Sequence, residues 1–151
     1  MLAEVVLPGS PPTVNTVWKH RVRQSRGRSP HVATYKNPSA LPWIEAAIWS
    51  FREAALHRKI SAAQRDDPDF LLLIGVEWQR KDRRRRDSDN ILKVLSDVIQ
   101  TVSGIDDSRF EWQTSRVYAK PERVRVRIWP SRPTQDAQPG DVGAKEDIHG
   151  V

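Results

Sequence analysis

The spacing of hydrophobic positions changes several times along this chain, and the changes predict four strands. The first is Leu2–Leu7, which ends at a proline-rich segment because proline cannot donate a hydrogen bond to a strand ladder. The second is Phe70–Trp78, where alternate apolar residues predict one buried face. Two more, residues 111–120 and 122–129, flank Pro121. The last alternates most regularly, with Val124, Val126 and Ile128 predicted inward and Arg123, Arg125 and Arg127 outward.

Two segments between the predicted strands have helical spacing instead. Ser39 is a candidate N-cap for a helix that runs through about Lys59. A second amphipathic helix is predicted from about Asp89 to Val102, with Gly104 as its C-terminal cap. The order strand, helix, strand, helix, strand, strand predicts a single α/β domain of the mixed α+β type, with a small mixed sheet and two main helices.

The remaining segments lack either period, and we expect connections and a tail there. Residues 13–38 predict a long loop, and residues 61–68 predict a polar connection that leads into the second strand. Residues 131–151 contain prolines and glycines without periodicity. We therefore expect a domain that spans residues 1–130, followed by a disordered C-terminal tail.

The 151 residues carry a net charge of +6, and this charge is unevenly distributed. No acidic residue occurs from position 6 to position 43. Residues 131–151 hold four acidic and two basic residues, which leaves 23 basic and 15 acidic residues in the predicted domain. A basic body favours nucleic acid, because neutralising phosphates releases their counterions. The candidate DNA-binding residues are Lys19, Arg21, Arg23, Arg26 and Arg28 in the long loop, Arg84, Arg85 and Arg86 before the second helix, and the outward arginines of the last strand.

Composition excludes several classes of protein. The absence of cysteine from the sequence excludes disulfides, thiolate metal sites and cysteine nucleophiles. No apolar run approaches the roughly 18–20 residues that a membrane span needs. The N-terminus lacks the pattern of a secretion signal. We therefore expect a cytoplasmic protein without a membrane partner.

The segment with the most candidate chemistry joins the second predicted strand to the second predicted helix. Four arginines, Arg83–Arg86, stand beside Asp87 and Asp89. Arginines attract a phosphate backbone, whereas carboxylates repel it unless a cation lies between them. Mg²⁺ takes oxygen ligands, usually one or two carboxylates with water and substrate phosphate, and it promotes phosphodiester hydrolysis. The residues that share the polar side of the helix are Asp89, Lys93, Ser96, Asp97 and Gln100, and Asp106 and Asp107 follow it.

Each of these features also has a purely structural interpretation. Asp87, Ser88 or Asp89 could cap the helix, and Lys93 could form ordinary ion pairs with acids one turn away. The pair Asp106-Asp107 could be turn residues. Spacing alone therefore leaves a metal site open, although zinc is disfavoured by the lack of cysteine and of histidines at zinc-like spacing.

Three motifs in the same order resemble the RusA family of Holliday-junction resolvases. Pro11-Pro12-Thr13-Val14-Asn15 is similar to the Pro-Pro-x-x-Asn segment of that family. The run from Asp87 through Asp89 and Asn90 to Lys93, with Asp97 one turn later, is similar to its central signature. Asp106-Asp107 is similar to its closing acidic pair. The resemblance covers roughly residues 2–130, and the tail lies outside it.

This resemblance implies specific roles. Asp87, Asp89 and Asp107 would hold Mg²⁺, with Mn²⁺ as a possible substitute, and these three with Lys93 would be catalytic. Asp107 is preferred to Asp106 on the family pattern, although the turn 101–105 is about one residue shorter than that pattern. The implied protein is a homodimeric endodeoxyribonuclease of bacterial or phage origin that resolves four-way junctions in DNA recombination and repair.

The predicted helix raises a geometric question about these carboxylates. A helix from Asp89 to Val102 is about 20 Å long at roughly 1.5 Å per residue, so Asp107 follows its far end. Either the chain folds back steeply or a second subunit supplies Asp107. In a two-fold dimer with antiparallel helices, the start of one helix would meet the end of the other and form two composite sites.

Two other functions remain as alternatives. In the first, the carboxylates are structural and the protein only holds branched DNA or another nucleic acid. In the second, the enzyme acts on nucleotides or single strands, and would cut linear and branched substrates equally. Trp18 has two interpretations as well, because a tryptophan in a basic loop can stack on a base or anchor the loop to the core.

Overall fold

The computed structural model describes residues 1–23, 27, 29, 31–82 and 88–131, without the side chains of residues 31 and 88–90. In chain order the elements are β1 (Ala3–Pro8), α1 (Val14–Val17), β2 (Trp18–Arg23), β3 (His31–Lys36), α2 (Leu41–Glu53), α3 (Leu56–Asp66), β4 (Leu71–Arg80), α4 (Ser88–Ser103), β5 (Phe110–Tyr118) and β6 (Arg123–Ser131). Short 3₁₀ helices lie at Pro38–Ala40 and Asp107–Arg109. The mixed α+β class predicted from the sequence is confirmed.

A four-stranded mixed sheet with the order β1-β6-β4-β5 forms the centre of the fold. Strand β6 is antiparallel to β1 and β4, whereas β5 is parallel to β4. The cross-strand pairs Ile74–Ile128 and Val76–Val126 lie in the middle of the sheet. The predicted inward residues of β4 and β6 are all buried, which confirms both alternation patterns: Leu72, Ile74, Val76, Trp78, Val124, Val126 and Ile128.

The helices α2, α3 and α4 contribute to one apolar core with this face of the sheet. Their buried residues include Phe51 from α2, Ile60 from α3 and Leu95 from α4. Full burial of an aliphatic or aromatic side chain contributes about 1.5–3 kcal/mol relative to exposure, so this layer is the main source of stability. In the described part of the chain, no helix is long and apolar enough to span a membrane.

Helix α4 is the crossover that joins the parallel strands β4 and β5. Parallel neighbours need such a connection, because a short turn cannot return the chain to the start of the next strand. The helix forms where the sequence predicts it, with Ile91, Leu95 and Val98 buried. Gly104 ends it with a φ of 74°, a left-handed conformation that costs glycine little, and its N–H donates to the carbonyl of Gln100 at 2.9 Å. The predicted C-terminal cap is confirmed.

The long loop predicted for residues 13–38 is wrong. Thr13 caps the single turn α1, and β2 and β3 then form an antiparallel pair that runs from Trp18–Lys36 to Arg23–His31. Strand β2 is exposed along its whole length. Since neither of its faces is buried, no alternation of apolar and polar residues marks it in the sequence.

The predicted first helix differs from the observed one at both ends. Ser39 is not its N-cap, because it lies inside the 3₁₀ turn that Asn37 caps, and α2 starts after Ala40 without a side-chain cap. The helix also stops at Glu53 instead of continuing to Lys59. A second helix, α3, then extends to Asp66, so the polar connection predicted for residues 61–68 is wrong.

The predicted end of the domain, residue 130, lies within the last strand. Strand β6 includes Ser131, one residue beyond the expected end of the domain. The remaining residues of the expected tail, 132–151, lie outside the described residues.

The joint between α2 and α3 gives a prediction about stability. Ala55 has a φ of 55°, and this left-handed conformation costs an L-residue about 1–2 kcal/mol relative to glycine. Glycine has a larger conformational entropy than alanine in the unfolded chain, and this offsets part of the gain. We therefore expect Ala55→Gly to raise the free energy of unfolding, measured in urea titrations, by about 0.5–1 kcal/mol. Ala54→Gly is the matched control, because Ala54 is right-handed and glycine there should destabilise by about 1 kcal/mol. A less stable Ala55→Gly variant would contradict the interpretation.

Candidate active site

The predicted site residues divide into described and undescribed groups. Asp87, Arg26, Arg28 and the arginines Arg84, Arg85 and Arg86 lie outside the described residues. Asp89 lies in the first turn of α4, and its side chain is not among those described. The structure does describe Lys93, Asp107 and the hairpin residues Lys19, Arg21 and Arg23.

The adjacent acids after α4 have different surroundings. Asp106 caps the 3₁₀ helix Asp107–Arg109, and its Oδ1 accepts a hydrogen bond from the Ser108 N–H at 3.0 Å. Hydrogen bonds from the Ser108 side chain and backbone lower the pKa of Asp106 below its ordinary value. Asp107 instead lies beside α4, where its Oδ2 accepts a hydrogen bond from Ser96 Oγ at 3.4 Å. One carboxylate therefore caps a turn, and the other contacts the helix that carries the acidic motif.

The contact between Asp107 and Ser96 shows that the chain folds back after α4. Ser96 lies seven positions after Asp89, which corresponds to a rise of about 10 Å, whereas the end of α4 at Ser103 lies about 21 Å from Asp89. Helical side chains also lean toward the N-terminus of their helix, so Ser96 Oγ points toward the turn that carries Lys93. The fold thus brings Asp107 about halfway along α4 toward Asp89.

Lys93 and Asp107 are both exposed, and they supply the cation and the carboxylate that a site for Mg²⁺ and phosphate needs. Carboxylate oxygens are the ligands that Mg²⁺ prefers, and Asp107 is exposed beside the helix that begins with Asp89. Among the side chains that the structure describes, no three acidic or histidine side chains group as metal ligands. The candidate set also requires Asp87 and Asp89, whose side chains are not described.

The hairpin β2–β3 has one strongly basic face. Residues opposite each other in an antiparallel pair share a face, so Lys19, Arg21 and Arg23 lie on the same side as Tyr35. The three cations are exposed, and no acidic residue occurs in either strand. On the other face, Val22 and Val32 are 66% and 64% exposed. Trp18 lies on this second face, with Lys36 Nζ 5.5 Å from its ring centroid.

The base of this hairpin packs against α4. Val17, Ala40 and Val94 form a small buried cluster, so the hairpin starts beside α4. A cleft of about 120 Å³ lies at the same junction and is lined by residues that include Lys36 and Asp97. The hairpin that carries the basic face is therefore anchored on α4, the helix that carries Asp89.

The outward arginines of β6 are less available to phosphate than the sequence suggests. Arg125 lies 3.5 Å from Glu4 and 3.6 Å from Glu77, and Arg127 lies 3.4 Å from Glu4. Arg123 Nε donates a hydrogen bond to Gln79 Oε1 at 2.8 Å. Because two glutamates offset two of the three arginines, this face of the sheet carries much less net charge than the pattern of β6 alone indicates.

Arg80 is a buried charged residue that the sequence pattern does not reveal. The second predicted strand ends at Trp78, but β4 continues to Arg80, which is 1% exposed. Its guanidinium lies 4.7 Å from the centroid of the Trp78 ring, and its Nη2 lies 3.7 Å from Asp82. This packing fixes the end of the strand from which the arginine run and Asp87 follow. Because Arg80 lies close in sequence to the four arginines Arg83–Arg86, nothing in the sequence pattern indicates that it is buried.

Comparison with models of known protein families identifies the family of this chain. No curated protein sequence matches the chain. The family model described as Endodeoxyribonuclease RusA matches residues 8–129, from the last residue of β1 to Trp129 near the end of β6. Because the match covers most of the 151 residues, this chain belongs to the RusA family of endodeoxyribonucleases.

Proposed function

We propose that the protein is a Mg²⁺-dependent endodeoxyribonuclease that resolves four-way DNA junctions in the bacterial cytoplasm, as part of recombination and repair of bacterial or phage DNA. The observation that carries this proposal is the position of Asp107. The fold returns its carboxylate to the middle of α4, the helix that starts with Asp89, and the basic hairpin is anchored beside that helix. These two observations support a site at which acidic groups would hold a metal ion and basic groups would bind a phosphate backbone.

Each residue has a distinct role in the proposed reaction. Asp87, Asp89 and Asp107 would hold the ion, which when bound polarises the phosphoryl oxygen and favours formation of hydroxide from water. Lys93 is exposed and shares a helix face with Asp89, so its ammonium group can offset the charge that develops on phosphorus oxygens. Asp106 has a structural role instead, because its carboxylate is engaged in capping.

The basic hairpin would position the DNA backbone. Contacts from lysine and arginine to phosphate set the register of the protein on DNA without reading the bases. The face with Lys19, Arg21 and Arg23 has three exposed cations, whereas the sheet face has arginines that are already paired with glutamates. We therefore propose the hairpin, together with Arg26, Arg28, Arg84, Arg85 and Arg86, as the main phosphate-binding region.

A homodimer is the proposed active form. A four-way junction has two-fold symmetry, and its resolution needs two matched cuts, which a symmetric dimer provides. The rise of about 10 Å between Asp89 and Ser96 favours composite sites, because ligands of one Mg²⁺ lie about 2.1 Å from the ion. With α4 antiparallel to its mate and shifted along the helix axis, Asp107 of each subunit, which lies beside Ser96, would approach the acidic motif of the other.

The cleavage assay separates this proposal from a protein that only binds branched DNA. We expect the wild type to cut a synthetic four-way junction with Mg²⁺ or Mn²⁺ and to leave the matched duplex intact. Asp107→Asn should lower the rate by more than about a hundredfold, since loss of a ligand costs more than loss of its hydrogen-bond partner. Asp106→Asn is the control and should retain cleavage, because asparagine is an equally good cap.

Two results would contradict the proposal in different ways. A wild type that binds the junction and never cuts it with either ion would favour the binding protein. Equal cutting of junction and linear DNA would favour an enzyme that acts on nucleotides or single strands.

Mixed dimers test whether the sites are shared between subunits. Neither Asp89→Asn nor Asp107→Asn homodimers should cut. If the sites are composite, a dimer with one chain of each kind contains one site with both aspartates intact, and it should nick one strand of the junction. Self-contained sites would leave the mixed dimer inactive, which would rule out the antiparallel arrangement.

The salt dependence of junction binding tests the role of the hairpin. Each phosphate contact contributes about 0.9 to the slope of log K against log salt, so Arg21→Gln should reduce that slope by about 1. Arg127→Gln is the matched control, and we expect a smaller change because Glu4 already pairs with Arg127. Fluorescence anisotropy at several salt concentrations gives both slopes. A larger effect from Arg127→Gln would assign the DNA to the sheet face.

A further inference from the structure

Ser96 differs from the other residues of the long helices whose hydroxyl groups donate a described hydrogen bond. Ser50 donates to the Ala46 carbonyl at 2.9 Å, Ser61 to the His57 carbonyl at 3.0 Å, and Thr101 to the Asp97 carbonyl at 2.6 Å. Each of these hydroxyls is thus bound to its own helix, four residues back. The Ser96 hydroxyl instead donates out of its helix, to Asp107 Oδ2 at 3.4 Å.

The burial of Ser96 makes this hydrogen bond directional. Ser96 is 7% exposed and lies between the buried residues Leu95 and Val98, whereas Asp107 is exposed. A buried hydroxyl without a partner costs about 1–3 kcal/mol, so the hydroxyl is held where it can reach an acceptor. The described acceptor of the Ser96 hydroxyl is Asp107, so the serine is in a position to orient this carboxylate.

The orientation of a carboxylate matters when it is a metal ligand. Hydrogen bonds to ligating groups orient them, and their loss typically lowers metal affinity or activity by 10–100-fold. With Oδ2 of Asp107 bound to Ser96, the other oxygen of this exposed carboxylate is the one that would bind an ion or its water. A free aspartate on the exposed turn after Gly104 would lose that orientation.

We propose that Ser96 is a positioning residue for Asp107, which it holds in the orientation needed to bind the divalent ion. This inference rests on the proposed function, in which Asp107 is a ligand. It assigns a role in metal affinity to a buried hydroxyl on the polar side of α4, although Ser96 itself touches neither metal nor DNA.

Metal binding and cleavage should be measured together. We expect Ser96→Ala to raise the Mn²⁺ dissociation constant from calorimetry, and the half-saturating Mn²⁺ concentration for cleavage, about tenfold. Ser96→Thr retains the hydroxyl and should recover most of the affinity. Ser50→Ala is the control, because it removes a hydroxyl that donates to a carbonyl of its own helix, and it should leave both values unchanged. Thermal unfolding of each variant verifies that the fold is intact.

A double-mutant cycle separates positioning from a general effect on the fold. If Ser96 acts through Asp107, Ser96→Ala should cause no further loss of Mn²⁺ affinity in the Asp107→Asn background. An equal loss in both backgrounds, or no loss in either, would overturn the role of Ser96. A wild type that binds no Mn²⁺ at all would overturn the proposed function itself, so the two failures are distinguishable.

Discussion

The parallel pairing of β4 with β5 is the constraint on which the rest of the arrangement depends. Two parallel neighbours require the chain to return along the full sheet, and here α4 makes that return. A helix of 16 residues is about 24 Å long, so residues before it and after it lie at opposite ends. The topology that builds the core therefore also separates Asp89, in the first turn of α4, from the residues that follow the helix.

The turn after α4 partly offsets this separation. Gly104 ends the helix, Asp106 caps a 3₁₀ turn, and Asp107 then lies against Ser96. Each of these three features is local, and each depends on a suitable residue type: glycine for the left-handed conformation, and aspartate for the cap and for the hydrogen bond with Ser96. The remaining distance is the physical reason to expect a second subunit, since the symmetry of a dimer can join what one chain holds apart. Charge is also unevenly distributed around the fold. The basic hairpin lies beside α4, whereas the sheet face on which glutamates offset arginines lies away from the first turns of α4.

Burial explains which elements the sequence could predict. The alternation in β4 and β6 and the helical spacing of α4 were correct because each element buries one face against the same core. The hairpin β2–β3 was missed because both of its faces are exposed, and the break at Ala55 was missed because alanine gives no signal for a left-handed turn. For the site, spacing placed Lys93 and Ser96 on the face of Asp89, but it could not foresee that Asp107 would contact Ser96. That contact depends on a turn whose path only the packing of the whole domain determines.

A manganese anomalous difference map from crystals of the protein with a bound four-way junction would test the central claim most directly. The account predicts a peak within about 2.0–2.3 Å of a carboxylate oxygen of Asp107, shared with Asp89 and a phosphate oxygen of the DNA. A junction-bound crystal with no anomalous peak beside Asp107 would contradict it.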